Sequence, residues 1–173
     1  KASLAKAEIA AKQLQGTNVI IEYQIEVKNT GEVAGYVKSI VDYMPSSLKF
    51  SSELNNDWYQ SGANLYNTSL ANNKLEAGET TTISLTLTKS MTEENTGLVN
   101  NKAEVAESYN EVGIPDIDST PGNKVQNEDD MGSADVIIGV KTGAMVTYIS
   151  LTLTIIMMIG IGAYYINKKI NKD

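Results

Sequence analysis

The sequence of 173 residues contains no cysteine, no histidine and no arginine. Without cysteine the chain has no disulfide, no thiolate nucleophile and no thiolate metal site. The absence of histidine removes the commonest general base and metal ligand, and the absence of arginine removes bidentate recognition of phosphate or guanine. The chain has 14 basic and 21 acidic residues, which gives a net charge of −7. An acidic chain repels nucleic acid, which is therefore excluded as a partner.

The remaining carboxylates and lysines form no recognisable catalytic motif, and no glycine-rich phosphate loop is present. We therefore predict that the chain is not an enzyme, with no catalytic residues and no cofactor. Calcium is the one candidate ligand, because carboxylates are concentrated in one loop of the sequence.

Charge is also absent from residues 142–167, which are mostly apolar and are followed by Lys168, Lys169 and Lys172. About 24 helical residues at ~1.5 Å each span ~36 Å, enough to cross a bilayer core of ~30 Å. This pattern predicts a transmembrane helix over 144–166, after a juxtamembrane Lys-Thr-Gly at 141–143. The lysines mark 167–173 as a cytoplasmic tail, because basic residues resist translocation. We expect a single-pass protein of the cell surface with its N-terminus outside.

The chain begins at Lys1 without an initiator methionine or a signal-peptide pattern. Either a signal peptide was removed, or the chain is the C-terminal piece of a larger surface protein. We expect the second, with distal domains that would bind a host or cell-surface ligand. Lysine without arginine, together with many asparagines, is typical of a low-GC Gram-positive bacterium.

Alternation of apolar and polar residues with period two predicts a strand over 17–29. Further strands are predicted over 35–44, 48–50, 58–59, 82–89, 98–108 and 134–140, with a loop over 110–133. Short strands separated by turns indicate an antiparallel immunoglobulin-like sandwich over 17–140. Residues 1–16 form either a first strand near 4–9 or a linker from a preceding domain. The alanine-rich stretch 1–14 leaves a helix as the alternative.

Six motifs occur in order: YQIEVKNTG at 23–31, VDYMP at 41–45, LEAGE at 75–79, NKAEV at 101–105, DSTPGN at 118–123 and EDD at 128–130. This series resembles the conserved-repeat surface domain of bacterial cell-wall proteins, the "domain of unknown function eleven" type. The resemblance implies an immunoglobulin-like sandwich, used in tandem as a stalk or spacer in adhesins, without enzymatic activity.

The Lys141-Thr142-Gly143 motif before the apolar span is similar to a cell-wall sorting signal. The resemblance implies that sortase cleaves the Thr142–Gly143 bond and transfers the chain to the cell wall. Gly139 and Val140 stand where that signal has leucine and proline, so a plain membrane anchor that stays attached is the alternative.

Related fimbrial domains carry an internal isopeptide bond, and the resemblance implies Lys6, Asp42 and Asn101 as the lysine, the carboxyl and the asparagine. The chemistry needs a neutral amine and a protonated carboxyl, which only burial provides. Asn101 is in phase with Val99 and Ala103 and should point inward. The alternative is a buried asparagine held by hydrogen bonds and a solvated lysine.

The loop over 110–133 is rich in carboxylates, which suggests calcium, a cation that takes roughly 6–8 oxygen ligands. The alternative is a solvated acidic loop. The candidate ligands are Asp116, Asp118, Glu128, Asp129 and Asp130.

These patterns together predict a membrane-proximal structural stalk. The alternative is an adhesin domain that binds host protein or glycan, with Trp58 and Tyr59 as natural contacts. Those two aromatic residues would otherwise pack in the core.

Overall fold

A computed structural model describes residues 4–10, 18–91, 97–141 and 151–162 of the chain. Apart from one 3-10 turn at Ser52–Leu54, the regular structure in these residues is β-strand. The strands are β1 (Leu4–Ala10), β2 (Asn18–Asn29), β3 (Gly35–Asp42), β4 (Lys49–Phe50), β5 (Trp58–Ser61), β6 (Asn64–Asn67), β7 (Lys74–Leu75), β8 (Thr80–Ser90), β9 (Gly97–Tyr109), β10 (Met131–Lys141) and β11 (Leu151–Ile161).

The strands form two sheets. The larger has the order β1-β10-β9-β3-β6-β5, with β7 paired to β3, and the smaller has the order β11-β2-β8-β4. Neighbouring strands are antiparallel except at two edges, where β1 lies parallel to β10 and β11 lies parallel to β2. The fold is therefore an all-β sandwich, as the sequence predicted.

The core lies between the two sheets, and β2 contributes a complete inward face to it. Alternate residues of β2 are fully buried: Val19, Ile21, Tyr23, Ile25 and Val27. They meet Leu85 and Leu87 of β8 and, from the larger sheet, Val99 of β9 and Val136 of β10. Burying each large aliphatic side chain contributes roughly 1.5–3 kcal/mol. The period-two pattern read from the sequence is thus the packing pattern of the sandwich.

The eight predicted strands in residues 4–140 are present, with ends that differ by a few residues. Two short strands, β6 and β7, were not predicted. Asn64–Asn67 and Lys74–Leu75 are too short for alternation to show, and both are defined by pairing with β3. β6 also forms a hairpin with the preceding strand β5, but the pairing of β6 and β7 with β3 joins segments that are distant in the sequence.

The transmembrane helix predicted over 144–166 is not found, because its described part, Leu151–Ile161, is the strand β11. Within the described ranges, no helix has the length and apolar character needed to cross a bilayer. A continuous apolar run fits a buried strand as well as a helix, so hydropathy alone does not separate them. In this structure the backbone of the run pairs with β2 over eleven residue pairs. The other residues of 142–167 lie outside the described part.

The loop between β9 and β10 covers the outer face of β9. Gly122, at a φ of 74°, donates its N–H to the Val105 carbonyl oxygen at 3.0 Å. A Cβ at this position would lie 3.2 Å from the Ala106 carbonyl oxygen, so glycine is required both for the turn and for the close approach. The backbone N–H of Lys124 donates to the buried Glu104 carboxylate. The loop predicted from its acidic composition is therefore held against the sheet.

Candidate functional sites

Asp42 and Asn101 meet inside the sandwich. Asp42 ends β3 and Asn101 lies on β9, and both side chains are fully buried. The Asn101 Nδ2 donates to Asp42 Oδ2 at 2.6 Å. The prediction that Asn101 points inward is confirmed, and its described partner is the carboxyl of the same candidate triad.

Three polar atoms in this region have no hydrogen-bond partner among the described residues: Asp42 Oδ1, Asn101 Oδ1 and the Tyr23 hydroxyl. Burial raises the pKa of Asp42 to about 8, although the hydrogen bond from Asn101 opposes the shift. Burial, followed by the charges of Asp42 and Asp135, also raises the pKa of Tyr23. A neutral carboxyl beside an amide is one half of the chemistry that an isopeptide bond needs.

The lysine that would supply the other half is not placed in this cluster by the described contacts. Lys6 lies on β1 opposite Ile137 of β10, whereas Asn101 lies opposite Ala134 of the same strand. The side chain of Lys6 is outside the described part, so the Lys6 assignment stays a prediction.

Three of the five predicted calcium ligands come together. Asp116, Asp118 and Asp129 each offer a carboxylate oxygen, and these atoms lie within 4.8 Å of one another. Their arrangement provides three of the oxygen ligands that a calcium ion takes. The sequence placed them in one loop, but only the folded loop brings Asp129 back to the other two.

Asp116 and Asp118, two carboxyls of this acidic cluster, are joined by a hydrogen bond. Burial raises the pKa of Asp116, but hydrogen bonds from Asp118, Gly162 and Ser119 outweigh it and hold the pKa below the ordinary value. The hydrogen bond with Asp116, followed by burial, raises the pKa of Asp118 to about 6. The two groups therefore titrate as a pair.

The other two predicted ligands have different surroundings. Glu128 accepts the N–H of Thr120 and the side-chain amide of Asn123, both at 2.9 Å. Asp130 is 1% exposed, and neither carboxylate oxygen has a partner in the described residues. Burial, followed by the charge of Glu104, raises its pKa to about 7. Glu128 therefore holds the loop through its two hydrogen bonds, and neither Glu128 nor Asp130 belongs to the cluster of three.

Sequence reasoning missed that the acidic cluster contacts the end of β11. Asp116 Oδ2 accepts the Gly162 N–H at 2.9 Å, and the Asp129 carbonyl oxygen accepts the Gly160 N–H at 2.6 Å. Thr30, which follows β2, donates its hydroxyl to Asp129 Oδ2 at 2.8 Å. No local pattern indicated Thr30, because its role depends on β11 lying beside β2.

The sorting-like motif falls at the boundary of the described part. Lys141 is the last residue of β10, and its backbone pairs with Ala10 of β1. Thr142 and Gly143 lie outside the described residues. Cleavage by sortase and permanent attachment both stay open.

The two aromatic residues suggested as ligand contacts have opposite environments. Trp58 is 4% exposed and donates its Nε1–H to the Ser84 carbonyl oxygen at 2.7 Å, so it belongs to the core. Tyr59 is 53% exposed and stacks on Tyr66 with ring centroids 5.7 Å apart. Only the tyrosine is placed to touch a partner.

Comparison with models of known protein families, with curated proteins and with solved structures yields no match for this chain. The resemblance to the conserved-repeat surface domain therefore stays a prediction from the motifs.

We expect the free energy of unfolding to fall as the pH rises from about 4 to about 8. Asp42 has a raised pKa in the folded state, so the folded protein holds a proton that the unfolded chain releases. The contribution of this proton to the free energy of unfolding is complete when the pH is below the ordinary pKa of an aspartate. As the pH rises from there to the raised pKa of Asp42, the contribution is lost at ~1.4 kcal/mol per pH unit. Asp42→Asn should reduce this slope in urea titrations across the pH range, whereas the exposed Asp57→Asn should not. An unchanged slope in Asp42→Asn would contradict the buried carboxyl.

We expect calcium to stabilise the chain by ~1.4 kcal/mol at ten times its dissociation constant, because it relieves repulsion among the three clustered carboxylates. Melting curves with and without millimolar Ca²⁺ measure this. Asp118→Asn should lose the gain, while Glu128→Gln, in the same loop but outside the cluster, should keep it. Equal melting midpoints with and without Ca²⁺ for the unmodified chain would rule out a calcium site here.

The alternative to an isopeptide bond is a buried asparagine held by hydrogen bonds, and the Asn101 amide makes such a bond to Asp42. On that alternative we expect the intact mass of the full chain to equal its calculated mass. Mass spectrometry of the purified protein tests this. A deficit of one ammonia, absent in Asn101→Ala, would instead show that Asn101 has acylated a lysine.

Proposed function

We propose that the chain is a structural stalk module of a Gram-positive-type cell-surface protein, which holds distal domains away from the envelope. The proposal is supported by the all-β sandwich and by the ordered motif series. The candidate sites add support, since the buried Asp42–Asn101 pair joins β3 to β9 and the acidic loop is hydrogen-bonded to the end of β11. In this role the sandwich transmits force, and no reaction is involved.

The observation that carries the proposal is the pairing of β1 with β10. These are the strands at the two ends of the proposed module, and they run parallel in register over seven residue pairs, from Leu4↔Asp135 to Ala10↔Lys141. Tension applied before β1 and after β10 pulls the two strands in opposite directions along their axes. The evenly spaced bonds of a parallel ladder then share the force at once instead of breaking one by one. This arrangement suits a module that is pulled from its ends.

Anchoring is the second part of the proposal. The uncharged run before Lys168 and Lys169 suits a bilayer span, with the sandwich outside the cell and the lysines in the cytoplasm. Attachment to the cell wall after cleavage at Thr142 is the alternative end state. In both cases the sandwich is the part of the protein nearest the envelope.

A binding function is the alternative, and the exposed tyrosines favour it. Tyr59 stacks on Tyr66, while Tyr36 and Tyr109 pair 6.1 Å apart with Lys38 over both rings. Such rings on an open sheet face are suited to contact with host protein or glycan. Loss of cell adhesion in Tyr59→Ala with unchanged stability would favour this alternative over the stalk.

We expect the unfolding force to depend on the direction of pulling. The chain has no cysteine, so thiol handles can be placed at chosen positions. Handles at Lys1 and Lys141 load the β1–β10 ladder in shear. Handles at Leu4 and Asp135, which are paired at one end of the ladder, peel it open pair by pair. Single-molecule force spectroscopy should give a severalfold higher force for the first pair, and equal forces would contradict the stalk mechanism.

A further inference from the structure

The edge of β2 forms a slot that holds β11. Eleven residue pairs join the two strands in parallel, from Leu151↔Val19 to Ile161↔Asn29. The other edge of β2 is paired with β8. β11 thus supplies the outer member of the smaller sheet, and it satisfies backbone groups that an open edge would leave unpaired.

The segment fits the slot through one face. Ile155, Met157, Ile159 and Ile161 are buried at 0–6% exposure, whereas Ile156 and Met158 are 44% and 47% exposed. This alternation is that of a strand on a sandwich core, although residues 155–159 are apolar on both faces. The slot therefore selects one face of the segment and leaves the other at the surface.

The opposite sheet has no side chain at the point where β11 passes over it. A Cβ on Gly132 of β10 would lie less than 3.0 Å from the carbonyl oxygen of Met158, a separation that real Cβ atoms do not show. A Cβ on Gly35 of β3 would lie 3.3 Å from Ile161 Cδ1. The backbone of β11 approaches β10 so closely that only glycine leaves room.

The C-terminal end of the segment is held by polar groups of the acidic loop. Gly160 donates to the Asp129 carbonyl oxygen at 2.6 Å, and a Cβ at Gly160 would lie 2.9 Å from Asp129 Oδ2. The Thr30 N–H donates to the Ile161 carbonyl oxygen at 2.6 Å, and the single hydroxyl hydrogen of Thr30 is shared between that oxygen and Asp129 Oδ2. A side chain at position 160 would therefore have to displace the Asp129 carboxylate, which the glycine leaves in place.

The same residues belong to the run that is long enough to cross a bilayer, and no charged residue lies in it. The backbone N–H and C=O groups of the segment find partners in different ways in the two places. In a bilayer a helix pairs its own backbone groups, whereas in the slot the strand pairs with β2. One segment cannot occupy both places.

We infer that the β2 edge is a binding slot for the chain's own C-terminal apolar segment and competes with the lipid bilayer for it. In water the segment is docked as β11, and in a membrane it leaves the slot. The bilayer half of this inference rests on the proposed membrane anchor, whereas the slot does not.

Disulfide trapping in the full chain tests the inference, since the chain has no cysteine of its own. Gln24 lies opposite Ile156 of β11 on one side and opposite Ser84 of β8 on the other. Paired residues of neighbouring strands lie within the Cα separation that a disulfide allows. The test variant is Gln24→Cys with Ile156→Cys, and the matched control is Gln24→Cys with Ser84→Cys.

Both variants are oxidised with diamide, first in detergent-free buffer and then in vesicles of phosphatidylcholine and phosphatidylglycerol. We expect the two disulfides to form within one chain in buffer. In vesicles the Gln24–Ile156 yield should fall about tenfold, while the Gln24–Ser84 yield stays the same.

Two other outcomes are possible, and they contradict different parts of the inference. The first is that only the control disulfide forms in buffer, or that the Gln24–Ile156 disulfide joins two chains. The slot then does not hold the chain's own segment, and this result does not contradict the proposed membrane anchor. If vesicles leave the yield unchanged, the slot stands, but the competition is wrong and the membrane anchor fails with it.

A glycine variant gives a second test that needs no lipid. Gly132→Ala, added to the test pair, should lower its disulfide yield in buffer about tenfold, because the new methyl group meets the Met158 backbone. Ser133→Ala, the next residue on β10, is the control and should leave the yield unchanged. An equal yield in both variants would overturn the close packing of β11 on β10.

Discussion

The structure depends on the burial of one face of β2 between the two sheets. Five residues on this face are completely buried, and the rest of the core packs around them: Val19, Ile21, Tyr23, Ile25 and Val27. β8 pairs with one edge of this strand and β11 with the other. Because strand side chains alternate strictly, a slip of one residue would turn this face outward. Register, core and strand order are therefore fixed together.

Polar groups are buried at the places where distant strands meet. Asn101 joins β9 to Asp42 of β3, and Glu104 joins β9 to the loop through Lys124. A buried carboxyl without full pairing favours its neutral form, which explains the raised pKa values of Asp42 and Asp130. These contacts make the sandwich sensitive to pH without a histidine.

The acidic loop and β11 form one unit at one end of the sandwich. Asp116 and Asp129 hold the backbone of Gly162 and Gly160, and Thr30 joins them from the end of β2. The proposed cation site and the proposed slot therefore share two residues, because Asp116 and Asp129 belong to both.

The sequence by itself determined the all-β sandwich, the strands with clear alternation, and the inward position of Asn101, because period-two burial is a local property of the chain. It did not determine β6 and β7, which are too short to show a period, or the gathering of Asp116, Asp118 and Asp129 without Glu128 and Asp130. Only the tertiary structure decided that Leu151–Ile161 is a strand beside β2. An apolar run satisfies its backbone equally well as a helix or as a paired strand, and the choice depends on the edge available to receive it.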